Sequence, residues 1–329
     1  MPMTQSLLEQ DLDRKITHLS ADEAERLEEM KQRFAPQFSE LSDLLYKQLP
    51  AADQERFILW FAKRWAKVDR VPKEEHAEYE QDIKRIWHYP YETQEFHGTT
   101  YKRLELAPQG YEGELLTHPW VLGIHDFLYD QYQHGDCRVL PGDTIIDAGA
   151  FVGDTAVLFH QAAKGDCHVH AFEILEENIS LMRYNLDANN IADKVDICSL
   201  ALSDKSGDFV NIHAPTIQGA TSIFGGSSEV QAETITIDDY VRKNNIGRVD
   251  LIKMDIEGAE RMALAGALET MKRDRPRLAI CVYHIWDDII EIPRIIRASG
   301  VPYRYGFKWV KLNTGGEAVL LCTPESGVQ

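Results

Sequence analysis

The stretch Asp143-Thr-Ile-Ile-Asp-Ala-Gly-Ala-Phe-Val-Gly-Asp-Thr155 decides the fold of this chain. Its apolar residues predict a β-strand that runs into a turn with two glycines, Gly149 and Gly153, and then into a helix. The glycine spacing is GxxxG rather than GxGxxG, so the stretch lacks the fingerprint of dinucleotide-binding folds. The second glycine is not followed by Lys-Ser or Lys-Thr, which also excludes a phosphate-binding P-loop.

The residues of this turn favour a ligand that carries both an ammonium and a carboxylate group. Gly149 lets a ligand approach where a side chain would collide. The helix that begins near Asp154 and Thr155 offers free N–H groups, which attract an anionic group. Asp147 offers a carboxylate to a cation. An amino-acid moiety carries both charges, so the turn suits the methionine part of S-adenosylmethionine better than it suits a pyrophosphate.

Around this stretch, short apolar runs alternate with helical patterns, which predicts an α/β, Rossmann-like parallel sheet covered on both faces. The predicted strands lie at about 144–148, 167–173, 195–201, 249–254 and 277–283. Two last apolar runs, Tyr303–Trp309 and Ala318–Cys322, are separated by Asn313-Thr-Gly-Gly316, which has the signature of a hairpin turn. We therefore predict that the sheet ends in an antiparallel C-terminal hairpin.

The residues before the sheet form two further predicted regions. Residues 1–100 carry apolar residues at helical spacing and predict an α-helical N-terminal domain. Residues 101–134 predict a linker with one or two short strands and then a lead-in helix from Trp120 to Tyr132, before a ligand-binding domain at 135–329. The N-terminal helices could either cover a substrate cleft or form the interface of a homo-oligomer.

Composition narrows the classes of partner and the compartment. The chain has 329 residues and a formal net charge of -18 at pH 7, so it repels phosphate backbones, and nucleic acid and anionic membranes are not predicted as partners. The five cysteines are scattered like reduced core thiols, without the spacing of a zinc site. The N-terminus lacks a signal-peptide pattern, and no apolar run approaches the roughly 18 residues of a transmembrane helix. These features predict a cytoplasmic protein without a transmembrane segment.

Charged residues follow two of the predicted strands. Glu173 ends the second strand, where an acid can accept both hydroxyls of a ribose, in S-adenosylmethionine or equally in NAD. The fourth strand ends in Lys253, Asp255, Glu257 and Glu260. Open α/β sheets bind ligands at these strand ends, and charge is costly to bury there unless it is paired or used. We therefore predict a functional role for at least one of these four residues.

The chain resembles the FkbM-type S-adenosylmethionine-dependent methyltransferases over about 135–322. The resemblance implies a seven-stranded class I methyltransferase fold and O-methylation of a hydroxyl on a sugar, glycan or natural-product small molecule. It also implies cofactor contacts from Ala150, Ile174 and Ala201. Phe151 and Ile174 depart from the family, which commonly has Asn and Pro there, and both could alter how the adenosine packs. The segments that carry the resemblance are Asp147-Ala-Gly-Ala150 with Gly153, Ala171-Phe-Glu173, Ala201-Leu-Ser-Asp204, Thr236-Ile-Asp-Asp239 and Ile252-Lys-Met-Asp-Ile-Glu-Gly-Ala-Glu260.

Methyl transfer to a hydroxyl needs an oriented acceptor oxygen and a base for its proton. The candidates for this base are Asp255, Glu257 and His284, which follows the fifth strand and carries an imidazole suited to proton transfer near neutral pH. By the resemblance, Lys253 would orient the substrate or pair with Glu257.

The same carboxylates raise the question of a metal. With His284, Asp287 and Asp288, they could supply oxygen and nitrogen ligands to Mg²⁺ or a similar ion. Asp287 and Asp288 begin a predicted helix, however, where acids are common without a metal. A divalent metal is therefore not the favoured prediction.

Two other classes of function compete with methyl transfer. A nicotinamide-dependent oxidoreductase would explain Glu173, although the missing GxGxxG and the charged fourth strand argue against it. A non-catalytic interaction protein could keep the same fold and use its aromatic N-terminal helices to bind a partner.

Overall fold

The computed structural model describes residues 5–118, 124–212 and 230–325. Helices dominate the N-terminal region, as predicted. The second begins with a capping box, in which the Ser20 hydroxyl accepts a hydrogen bond from the Glu23 N–H and the Glu23 carboxylate accepts one from the Ser20 N–H. The five helices are α1 (Leu7–Lys15), α2 (Ala21–Phe34), α3 (Phe38–Leu44), α4 (Ala51–Ala66) and α5 (Lys73–His88).

A three-stranded antiparallel sheet follows these helices, with β2 (Thr99–Glu105) between β1 (Thr93–Phe96) and β3 (Glu114–Thr117). Strand β1 and the start of β2 lie within the region predicted to be helical, so the helices end at His88. Residues 119–123 of the predicted lead-in helix lie outside the described residues. The rest of it is a single π-helical turn, Ile124–Leu128, rather than an α-helix that reaches Tyr132.

The remaining described chain alternates strands with helices, as the pattern predicted. The predicted strand at 195–201 is in fact two strands, β6 and β7, and β7 joins a second small sheet in the order β7-β9-β8. The elements are β4 (Asp143–Ala148), α6 (Asp154–Ala162), β5 (Cys167–Phe172), α7 (Glu176–Ala188), β6 (Val195–Cys198), β7 (Ala201–Leu202), β8 (Phe209–Ile212), β9 (Val230–Ile235), α8 (Ile237–Lys243), β10 (Leu251–Met254), α9 (Glu260–Ala265), α10 (Leu268–Asp274), β11 (Arg277–Cys281), α11 (Asp288–Ala298), β12 (Tyr303–Trp309) and β13 (Ala318–Pro324).

Seven of these strands form the main sheet, in the order β12-β13-β11-β10-β4-β5-β6. Strands β11, β10, β4, β5 and β6 are mutually parallel, and β13 runs antiparallel to both of its neighbours, β11 and β12. The predicted α/β fold with an antiparallel C-terminal hairpin is therefore confirmed. Because β4 and β10 are adjacent, the glycine turn after β4 lies beside the charged end of β10.

The region predicted to be a linker is packed against the main domain. The Asn185 side chain of α7 accepts a hydrogen bond from the Leu116 N–H at 2.7 Å and donates to the Leu116 and Val152 carbonyls at 2.9 Å. Strand β3 is thereby fastened to a helix that covers the main sheet.

The N-terminal helices share a hydrophobic core with the main sheet. The rings of Phe57 and Trp60, on α4, each lie 5.1 Å from the ring of Phe307 on β12, and all three side chains are buried. The indole N–H of Trp60 donates to the Gly315 carbonyl at 3.0 Å. The hydrophobic core therefore continues across residue 100, where the sequence predicted a domain boundary.

The described residues contain no helix that combines the length and apolarity needed to cross a membrane. All five cysteines are free thiols, and four of them are buried.

Candidate active site

A cavity of about 460 Å³ opens at the carboxyl ends of β4, β5, β10 and β11. Nine of the thirteen predicted site residues line it: Gly149, Asp154, Thr155, Glu173, Ile174, Ala201, Lys253, Asp255 and Glu257. The other four, Asp147, Ala150, Gly153 and His284, lie behind its wall. The cavity therefore joins the glycine turn to the charged end of β10.

Gly149 is required at its position by a close backbone approach. Its φ is +78°, and a Cβ built there would lie 1.9 Å from the carbonyl oxygen of Asp255, so a side chain cannot fit without movement of the neighbouring strand. The N–H groups of Gly149 and Ala150 both donate to the Phe172 carbonyl at 3.0 Å. The turn is thus fixed to the two strands that flank β4.

Lys253 holds this turn through its ammonium group. It faces Asp147 across the β4–β10 pair, and its Nζ lies 3.0 Å from Asp147 Oδ1. The same ammonium donates to the carbonyls of Ala148 at 3.2 Å and Gly149 at 2.7 Å. The predicted pairing of Lys253 with Glu257 is therefore wrong. Asp147 is fully buried by this ion pair and by a 2.5 Å hydrogen bond from the Thr155 hydroxyl, so it cannot offer its carboxylate to a ligand.

Glu173 is held in place by its own loop. Its Oε1 accepts hydrogen bonds from the N–H groups of Ile174 at 2.7 Å and Leu175 at 2.9 Å, and its Oε2 accepts one from the Asn178 amide at 3.3 Å. Burial raises the pKa of Glu173, against the lowering effect of these hydrogen bonds. The carboxylate is thus fixed at the cavity wall. Its Oε2 accepts one long hydrogen bond, from the Asn178 amide.

One acid on the cavity wall, Asp126, was not predicted from the sequence. It lies on the π-helical turn and lines the cavity together with Asp154, at the start of α6. Burial raises the pKa of each, and the neighbouring carboxyl raises that of Asp126 further. Asp126 gave no signal in the sequence because it lies far from the glycine turn in the chain.

The charged end of β10 meets His284 beneath the cavity. His284 Nε2 lies 3.3 Å from Asp255 Oδ1 and 3.6 Å from Glu257 Oε2, and its Nδ1 lies 2.9 Å from Glu260 Oε1. Asp255 also accepts hydrogen bonds from the hydroxyls of Tyr132 at 2.7 Å and Tyr283 at 3.3 Å. One imidazole is thus surrounded by three carboxylates.

This arrangement shifts the pKa values of His284, Asp255 and Glu257 in different directions. Burial lowers the pKa of His284, but Glu260 and Asp255 outweigh burial and raise that pKa well above its usual value. Burial would raise the pKa of Asp255, but His284 and Lys253 hold it well below its usual range. Burial raises the pKa of Glu257 to about 7. Of the three candidate bases, Asp255 and Glu257 line the cavity and His284 does not, and the role of each as a base stays a prediction.

The helix-start acids considered as metal ligands are engaged elsewhere. Arg261 bonds to the carboxylates of both Asp287 and Asp288, so these residues do not join the group around His284. Of the five candidate ligands, Asp255, Glu257 and His284 offer ligand atoms that all lie within 4.8 Å of one another.

The wall of the cavity opposite the glycine turn comes from regions without a recognisable motif. Tyr79, Ile83 and Trp87 line it from one face of α5, at a spacing of four residues. The Tyr79 hydroxyl lies 3.2 Å from His125 Nε2 and 3.4 Å from Asn313 Oδ1, which ties α5 to the C-terminal hairpin. The helical spacing of these residues was the available signal, but it could not show which surface they face.

Comparisons with known proteins agree with this architecture. A family model described as the methyltransferase FkbM domain matches residues 147–308. The 31-O-demethyl-FK506 methyltransferase FkbM of Streptomyces tacrolimicus is 23% identical over 221 residues, which cover 54% of this chain and 82% of that protein. A crystal structure of methyltransferase FkbM from Methylobacillus flagellatus KT matches with a TM-score of 0.54 and 16% identity, over 89% of this chain and 59% of the other.

The structural match shows a shared fold, and the present chain spans less than two thirds of that protein's length. The family model covers the segment from the glycine turn into β12, which contains Glu173 and the charged end of β10. Residues 147–308 of this chain therefore form an FkbM methyltransferase domain.

Proposed function

We propose that this protein is an S-adenosylmethionine-dependent O-methyltransferase that acts on a hydroxyl of a sugar, glycan or natural-product small molecule. The observation that carries the proposal is the single cavity that joins the glycine turn and Glu173 to the carboxylates of Asp255 and Glu257. A donor bound at the first end and an acceptor at the second would meet in one enclosed space, and such positioning supplies much of the rate of a group transfer.

The cofactor end fits the three parts of S-adenosylmethionine. Glu173 is fixed by its loop and can accept hydroxyl groups of a ribose. Ile174, Ala201 and Leu202 offer apolar surface for an adenine ring. The paired carboxyls of Asp126 and Asp154 fit an ammonium group, since a cation there would let both ionise. These two acids replace Asp147, which the sequence suggested for this contact.

Bound S-adenosylmethionine would supply an electrophilic methyl group. As an acceptor hydroxyl took this methyl group and the S–C bond broke, the proton of that hydroxyl would have to pass to a base. Asp255 and Glu257 line the acceptor end of the cavity and are placed to receive a hydrogen bond from that hydroxyl. Lys253 keeps the glycine turn and the end of β10 in register through Asp147.

The acceptor end suits a ring-bearing molecule with hydroxyl groups. Tyr79 and Trp87 provide aromatic faces, and the Trp87 side chain is 46% exposed at the mouth of the cavity. Lys311, Asn313 and Glu317 of the hairpin provide hydrogen-bonding groups on the same wall. A few polar groups among aromatic ones are typical of small-molecule sites.

The other features of the chain are compatible with this function. A net charge of -18 disfavours a nucleic-acid substrate, and five free thiols are favoured by a reducing compartment such as the cytoplasm. The N-terminal helices cover part of the cavity through α5, which supports the first of their two predicted roles. A homo-oligomer formed through other faces of these helices remains a prediction.

Two measurements test the proposal. Calorimetry should show that S-adenosylmethionine binds more tightly than NAD, and tighter binding of NAD would favour an oxidoreductase. Incubation with a labelled methyl donor and a panel of glycosides and metabolite extracts should then produce compounds that have gained one methylene unit, detected by mass spectrometry. Cofactor binding without methyl transfer to any acceptor would favour the non-catalytic alternative.

A further inference from the structure

The imidazole beneath the cavity is arranged like a metal ligand. His284 Nε2 points between two carboxylates, at 3.3 Å from Asp255 Oδ1 and 3.6 Å from Glu257 Oε2. Its side chain is only 7% exposed, and among the described residues neither of its ring nitrogens, Nδ1 and Nε2, has a hydrogen-bond partner with good geometry. A buried ring nitrogen of this kind calls for a partner other than the two carboxylates themselves.

The spacing of the three groups matches the ligands of one cation. Ligand atoms about 2.1 Å from a single ion, at angles of about 90–110°, lie roughly 3.0–3.4 Å from one another. The two nitrogen–oxygen distances are close to this range, and all three ligand atoms lie within 4.8 Å of one another. One nitrogen and two carboxylate ligands suit a divalent first-row transition metal better than they suit Mg²⁺, which prefers oxygen ligands.

Glu260 orients the imidazole as an outer carboxylate does in known metal sites. Its Oε1 lies 2.9 Å from His284 Nδ1, and Glu260 is fully buried. The same carboxylate accepts hydrogen bonds from the N–H groups of Ile256 at 2.8 Å and Gly258 at 3.0 Å. A buried carboxylate this close to Nδ1 favours the proton on that nitrogen, so that Nε2 could coordinate a metal ion.

The charge around His284 also favours a divalent cation. Asp255, Glu257 and Glu260 lie within 3.6 Å of one imidazole. The nearby ammonium of Lys253 is engaged by Asp147 at 3.0 Å. A divalent ion would add positive charge among these three carboxylates and displace the proton from His284.

We propose that Asp255, Glu257 and His284 bind a divalent transition-metal cation such as Mn²⁺, with Glu260 as the positioning residue for His284. Because Asp255 and Glu257 line the cavity, the ion has access to the acceptor. Resting on the proposed methyl transfer, its role would be to bind the acceptor hydroxyl and lower the pKa of that hydroxyl. The proton would pass to the second carboxylate oxygen of Glu257 as the O–C bond forms and the S–C bond of the donor breaks.

The test measures Mn²⁺ binding separately from activity. Metal-free full-length protein is titrated with Mn²⁺ and the free ion is measured by electron paramagnetic resonance. Wild type should bind one Mn²⁺ per chain, and Glu257→Gln and His284→Gln should each bind at least tenfold more weakly. Glu260→Gln should weaken binding by about 10–100-fold, because an outer carboxylate tunes the ligand that it orients.

His168→Gln is the matched control. His168, His170 and Asp196 form a second group with ligand-like spacing, but none of them lines the cavity. The control should bind Mn²⁺ like wild type. Loss of the bound ion in His168→Gln rather than in Glu257→Gln would overturn the proposal, as would wild-type binding no tighter than that of Glu257→Gln in protein with unchanged thermal stability.

The same samples separate this proposal from the proposed function. If Mn²⁺ binds as expected but no acceptor is methylated, the metal site stands and the proposed function fails. If methyl transfer proceeds at the same rate in a chelator, with no Mn²⁺ bound to wild type, the function stands and the metal site is refuted.

Discussion

Contacts with a few backbone atoms determine which residue fits at Gly149 and how the side chain of Glu173 is oriented. A side chain at Gly149 would collide with the carbonyl oxygen of Asp255, at the end of the neighbouring strand. Glu173 is oriented by two N–H groups of its own loop. Both residues were predicted for the cofactor site, and both line the cavity. For Gly149, the structure adds the reason why a side chain does not fit.

Gly149→Ala should destabilise the fold strongly. The new Cβ would lie 1.9 Å from the Asp255 carbonyl oxygen, at a φ of +78°. Backbone strain and overpacking together should cost about 3 kcal/mol or more in the free energy of unfolding, measured by urea denaturation. Gly142→Ala is the control, because its φ is +88° but a Cβ there meets nothing within 4 Å. It should cost about 1–2 kcal/mol from strain alone, and equal losses in both variants would show that the turn moves aside without penalty.

Glu173→Gln should weaken binding of S-adenosylmethionine by roughly 10–100-fold, because hydrogen bonds to a charged group contribute about 1.5–3 kcal/mol. Titration calorimetry measures the affinity. Glu176→Gln, three positions on, is the matched control, since its side chain is 76% exposed, and its affinity should equal that of wild type. Wild-type affinity in Glu173→Gln would remove Glu173 from the cofactor site.

At the scale of elements, the cavity depends on pieces that are attached to the main sheet. Helix α5 is held at the cavity mouth by the Tyr79 hydroxyl, between the π-helical turn and the C-terminal hairpin. Strand β3 is held by Asn185 of α7, which also bonds to the Val152 carbonyl within the glycine turn. The small antiparallel sheet is therefore coupled to the turn that faces the cofactor.

Asn185→Leu should loosen β3. The substitution keeps the size of the side chain but leaves the buried Leu116 N–H and carbonyl without their partner, at about 1–3 kcal/mol for each unsatisfied group. Hydrogen exchange followed by mass spectrometry should show faster exchange across β3, together with a lower melting temperature. Asn244→Leu, at an exposed asparagine, should leave exchange in β3 unchanged. Unaltered protection of β3 in Asn185→Leu would mean that other contacts hold this strand.

At the scale of the whole molecule, the N-terminal helices and the main sheet bury one continuous core. Helix α4 packs its aromatic residues on β12, at one edge of the main sheet. Arg64, on the same helix, bonds to the carbonyls of Tyr283 and Gly315. The structure therefore predicts that these two parts of the chain unfold together.

Phe57→Ala tests this prediction. Truncation of a buried phenylalanine should cost about 3–5 kcal/mol, and tryptophan fluorescence and far-ultraviolet circular dichroism should report one shared transition at lower denaturant concentration. Phe209→Ala is the control of the same type, because Phe209 is 67% exposed and should change stability by less than about 0.5 kcal/mol. An early transition of the helices alone, with the transition of the sheet unmoved, would restore the boundary near residue 100.

Much of the fold and part of the site could be read from local patterns. Alternating apolar runs predicted the strands of the main sheet and its final hairpin, because the side-chain period shows which residues must be buried. Gly149, Glu173, Asp255 and Glu257 were predicted because strand ends in an open α/β sheet meet at one edge. These inferences needed only short stretches of chain and a general rule of topology.

What only the tertiary structure decided is which distant groups meet. Lys253 pairs with Asp147 because β10 and β4 are neighbours in that register, and a periodic pattern does not specify strand order. His284 lies behind the cavity among three carboxylates, rather than in it. Asp126 and the face of α5 reach the site from regions without a motif. The sequence by itself determined the sheet, the glycine turn and the acids at the strand ends; their partners followed from long-range packing, which local periodicity does not encode.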